Sequence, residues 1–138
     1  MFDSKHLPEQ PDAVAPDGSD VRILVGVSRG GLAHFQLDAG QTSVAVRHRT
    51  VDEIWYFVSG SGEMWRRQNG REEEVVIGPG DAITIPVGTH FQLRATGGHE
   101  PLAAIGVTMP PWPGDGEAIR CDGRWPPTVQ PGPGLAEA

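Results

Sequence analysis

His48 and Glu53 are the residues of this chain best suited to act together chemically. Both lie in the run from Gly40 to Gly60, GQTSVAVRHRTVDEIWYFVSG, with four residues between them. An imidazole beside a carboxylate can pass a proton, form an acid–base pair or help to grip a cation. A second block, Gly80 to Phe91, GDAITIPVGTHF, brings a further histidine, His90. The positions of these side chains depend on the strands that carry them.

Strand alternation gives the first answer. From Ser43 to Arg49, Val44, Val46 and His48 share one face, and Ala45, Arg47 and Arg49 share the other. His48 therefore points inward with two valines. From Glu53 to Ser59, alternation puts Trp55 and Phe57 on the face of Glu53 and turns Tyr56 away. Further strands are expected over 21–27, 32–37, 82–85, 91–95 and 102–109. Residues 64–68 and 71–77 flank Asn69-Gly70 and read as a hairpin, because both turn residues tolerate the positive φ of a type I′ turn. Its arginines and glutamates read as a solvated face.

The chain has 138 residues, with 19 glycines and 13 prolines, and no long helical period. Many short strands separated by turns suit one all-β sandwich or barrel. Eighteen acidic residues against 11 basic ones give a net charge of −7, which argues against nucleic-acid and anionic membrane partners. Cys121 is the only cysteine, so no intrachain disulfide can form. No run of apolar residues is long enough to span a bilayer, and MFDSKHLPEQ does not read as a leader. A cytoplasmic protein is expected.

The spacing of the two blocks resembles the paired motifs of the cupin superfamily of small β-barrels. Gly40, His48, Glu53 and Gly60 fall on the first motif, and Gly80, Pro86 and Gly88 on the second. The chain departs from the pattern at two ligand positions. Val46 stands where the family has its first histidine, and Phe91 takes the last slot, with His90 one place early. The resemblance spans roughly residues 21–109. It implies an all-β, single-domain jelly-roll barrel of two antiparallel sheets, commonly a homodimer, with a small molecule as partner. An N-terminal arm over 1–19, a barrel over 20–110 and a Trp/Pro-rich segment over 111–138 complete the expected organisation. In the last segment, Trp112 and Trp125 are expected to lie over an outer apolar surface and the tail to be mobile or extended.

Three arrangements of the site are open at this point. In the first, His48, Glu53 and His90 hold a divalent metal (iron, manganese, nickel or zinc) after a shortened turn swings His90 inward. A metal there would polarise an oxygen-rich substrate or activate dioxygen. In the second, the metal is lost, and a pocket of Val46, Trp55, Phe57 and Phe91 binds an apolar or carbohydrate-like molecule, with His48 and Glu53 as its polar pair. In the third, His48 and Glu53 merely satisfy each other in the core. His34 and Gln36 share a face of their strand and join the pocket if that face is the interior.

Overall fold

The computed structural model describes all residues, 1 to 138. Eleven strands follow one another: β1 (Ala13–Val14), β2 (Asp20–Val27), β3 (Gly30–Leu37), β4 (Val46–His48), β5 (Asp52–Ser59), β6 (Gly62–Gln68), β7 (Arg71–Ile77), β8 (Ala82–Ile85), β9 (His90–Ala95), β10 (Leu102–Met109) and β11 (Ala118–Arg120). They form a six-stranded sheet, β1-β2-β3-β10-β5-β8, and a five-stranded sheet, β11-β4-β9-β6-β7. All pairings between the strands are antiparallel. The result is the expected all-β jelly roll. No helix is long and apolar enough to cross a membrane.

Period-two patterning builds the barrel. On β5, Glu53, Trp55 and Phe57 are buried, while Ile54, Tyr56 and Val58 between them are exposed. The inner faces of the two sheets meet in a core that includes Val46, Trp55, Phe57, Met64, Ile85 and Phe91. Asn69 and Gly70 take φ of 51° and 79° in the turn between β6 and β7, the left-handed conformation that their types allow. Gly60 is required for two reasons. Its φ is 73°, and a Cβ there would collide with the backbone of Pro101.

The ends of the chain are more closely integrated than their composition suggests. β1 pairs with β2, and β11 pairs with β4, so both termini extend the sheets. The tail is docked as well: Ala136 donates to the Ala118 carbonyl and accepts from the Arg120 amide. The wholly buried Gln92 pins the intervening loop. Its amide nitrogen donates to the Ser43 and Trp125 carbonyls, and its Oε1 accepts from the Arg124 and Trp125 amides. Trp125 lies under the Arg94 guanidinium, 4.4 Å from the ring centre. Removing the amide in Gln92→Ala leaves four backbone groups without their partner, the buried Ser43 carbonyl among them. The expected cost is about 2–4 kcal/mol in denaturant unfolding, with faster tryptic cleavage after Arg120 and Arg124. A loss below about 1 kcal/mol with unchanged cleavage would show that the loop is held by other means.

Candidate active site

β4 and β5 bring the His–Glu pair together from neighbouring sheets. His48 is the last residue of β4 and Glu53 lies at the start of β5. The connection over residues 49–51 is held by Glu117, which reaches it from just before β11. The Glu117 carboxylate accepts from the Thr50 amide, the Thr50 hydroxyl and the Val51 amide. Burial opposes its ionisation, but these donors and the nearby His48 together hold it below the ordinary carboxylate range.

His48 Nδ1 lies 3.1 Å from Glu53 Oε2, and both side chains are buried. The contact is close but off the axis of a hydrogen bond, so Nδ1 is buried without a well-formed partner. The other oxygen, Oε1, accepts from Trp55 Nε1 at 3.0 Å. Burial pushes the Glu53 carboxyl up to about 8. The Trp55 indole offsets only part of that shift, and the Asp17 and Glu117 carboxylates add to it. Burial also drives the His48 imidazole down to about 4, with Glu117 opposing only in part. At neutral pH the pair therefore stands as a carboxylic acid beside a neutral imidazole.

Aromatic rings enclose the pair. Phe91 and Trp112 meet the His48 ring edge-on at centroid distances of 5.3 and 5.0 Å. Trp55 stacks on Phe35 at 4.8 Å. Gly106 of β10 leaves room for that stack, since a Cβ there would stand 2.7–2.9 Å from atoms of Trp55 and Phe35. The pair opens on a cavity of about 550 Å³ whose lining is mostly apolar. Val46, Trp55 and Phe91 line it, as do Asp17, Trp112 and Asp115.

The remaining expected residues lie elsewhere. β9 keeps strict alternation, so Phe91 pairs across from Val46 inside while His90 faces outward beside Arg67, 3.3 Å from its guanidinium. No shortened turn swings His90 inward. His34 and Gln36 lie on the outer face of β3, because Phe35 and Leu37 take the inner one. Arg22 bridges Gln36 to the Pro8 and Glu9 carbonyls of the N-terminal arm, next to the buried His34. Phe57 belongs to the core and does not line the cavity. Trp112 packs on His48 at the cavity, not over an outer surface. Cys121 is half-buried, and burial pushes its thiol up to about 11, which disfavours the reactive thiolate.

The donor set does not fit a resident divalent metal. Two donors converge, one oxygen of Glu53 is committed to an indole N–H, and no third His, Cys, Asp or Glu completes a group. Catalytic sites of this kind normally keep three protein ligands.

The opposed pKa shifts set a pH signature. Glu53 keeps its proton in the fold up to about 8, well above the ordinary 4.5, so stability falls as pH rises across that window. His48 stays neutral in the fold down to about 4, below the ordinary 6.5, so stability also falls as pH drops across that window. Glu53→Gln removes the first effect only. Urea unfolding of the wild type is expected to weaken by roughly 1–2 kcal/mol between pH 6.5 and 8, and the variant to stay level. Parallel profiles would mean that Glu53 is already ionised at neutral pH.

Comparison with known proteins agrees with this architecture. KdgF from Halomonas sp. superposes with a TM-score of 0.58 at 20% identity, over 79% of this chain and 88% of that one. Ectoine synthase from P. lautus gives 0.63 at 19% identity over 80% of each chain. Oxalate decarboxylase from B. subtilis gives 0.70 at 17% identity, over 88% of this chain but 33% of that one. At such identities the likeness is one of fold. A search of curated proteins gives no match. The family model described as Cupin domain matches residues 33–108, more than half of the sequence, and the chain belongs to that family.

Proposed function

We propose that this cupin binds a small organic molecule in its barrel without a resident metal and offers it a proton donor, Glu53, and a proton acceptor, His48. The observation that carries the reading is the buried pair, 3.1 Å apart, at the wall of an apolar cavity of about 550 Å³. A neutral carboxylic acid can donate to a ligand oxygen, and a neutral imidazole can accept a proton from a neighbouring atom of the same ligand. For the pair to reset, the imidazole must turn its Nδ1 onto the carboxylate across the 3.1 Å separation and hand the proton back to Glu53. Such a pair suits proton shifts within a bound molecule. Ectoine synthase and oxalate decarboxylase, among the proteins of like fold, are enzymes by name.

The proposal includes a homodimer. The face of β5 turned away from the barrel exposes Ile54, Tyr56 and Val58, each 43–52% accessible, and a second copy of this chain would cover them.

Native mass spectrometry reads both parts at once. After incubation with manganese, iron(II), nickel or zinc and desalting, the expected species is a metal-free dimer, and chelator leaves the melting temperature unchanged. One metal per chain, lost in His48→Ala, would contradict the metal-free reading. A single-chain mass at micromolar concentration would contradict the dimer.

A further inference from the structure

The cavity has a charge asymmetry that the proton-transfer reading leaves unexplained. Asp17 and Asp115 line it beside the neutral Glu53, and none of the ten arginines nor Lys5 does. The arginines are spent elsewhere: Arg66, Arg67 and Arg71 line a separate polar cleft by the β6–β7 turn, and Arg94 and Arg120 pair with Glu63 and Glu137. Burial raises the Asp17 carboxyl above its ordinary range against the pull of its Ser19 hydrogen bonds, so a cationic partner is what would hold it ionised. Asp17 is 5% exposed, and its Oδ1 takes the Ser19 amide and hydroxyl. Its Oδ2 has no partner in the chain, and no ion pair reaches Asp17 or Asp115. Two further observations point to a ligand. His48, 4% exposed, lines the same cavity with its Nδ1 buried beside Glu53 and without a hydrogen bond, and the walls carry Phe35, Trp55 and Trp112.

From this arrangement we infer that the ligand of the barrel is an organic cation, an amine or quaternary ammonium with an apolar body. Asp17 and Asp115 supply the counter-charge, and Trp112, 37% exposed at the cavity, offers the cation an aromatic surface. Glu53 and His48 then stay free for the proton. The same lining rejects carboxylate and phosphate ligands, because no cationic side chain meets them and the acids repel them.

This inference rests on the cavity reading, and three probes of one shape separate the two. Calorimetry compares para-hydroxyphenyl-trimethylammonium, its carbon isostere para-tert-butylphenol, and the anion para-phenolsulfonate. The ammonium is expected to bind at least about tenfold tighter than the isostere, and the sulfonate most weakly. Asp115→Asn at the exposed rim and Asp17→Asn inside should each bring the ammonium-to-isostere ratio toward one. That ratio is internal to each protein, so a partly unfolded variant lowers both affinities alike and leaves it readable. An isostere that binds as tightly as the ammonium, or a sulfonate that binds best, overturns the cation assignment and leaves the cavity reading standing. If none of the three binds at millimolar concentration, both fall.

Discussion

The burial of one titratable pair in an apolar barrel governs this molecule. A histidine and a glutamate placed in an apolar barrel must either share a metal, ionise against each other, or stand neutral. Here Val46 and Phe91 occupy the places where further donors would stand, and both are part of the core. Apolar packing around His48 and Glu53 makes ionisation expensive in both directions, which raises the acid and lowers the base. The same apolar side chains that stand beside the pair in place of further donors are thus the ones that shift its protonation.

Much of the remaining structure positions that pair. Glu117 fastens the turn between His48 and Glu53. Trp55 holds one oxygen of Glu53, and Gly106 makes room for Trp55. The C-terminal segment carries Trp112 onto the imidazole and Asp115 to the cavity rim, and Gln92 fastens its later turn to the barrel. A segment that reads as loose from its prolines is therefore one wall of the site. Its order comes from hydrogen bonds and ring contacts made across the fold, with only three residues in a strand.

This division explains what could be read in the sequence. The barrel strands, the hairpin at Asn69-Gly70 and the inward course of Val46, His48, Glu53, Trp55 and Phe91 all follow from period-two patterning and turn chemistry, which are local. β1 and β11 are two and three residues long, too short to show a period. Asp17, Trp112, Asp115 and Glu117 reach the site over long sequence separations, so no spacing in the chain announces them. For β3 the pattern is ambiguous, because both of its faces are partly covered. The arm fastened by Arg22 lies on the outer side, and His34 is consequently buried without belonging to the cavity. The spare histidine at position 90 invites a metal-site reading, and only unbroken alternation along β9, which pairs it with Arg67, removes it.

The most direct test of this account is infrared difference spectroscopy of the carboxylic-acid carbonyl stretch as pH is raised from 6 to 9, wild type against Glu53→Gln. The account predicts a protonated-carboxyl band at pH 6 that is absent from the variant and fades with a midpoint near 8. A wild-type protein with no such band at pH 6, its His48 charged instead, would contradict it: the pair would then be an ordinary buried ion pair, and the neutral proton donor on which the proposed chemistry depends would not exist.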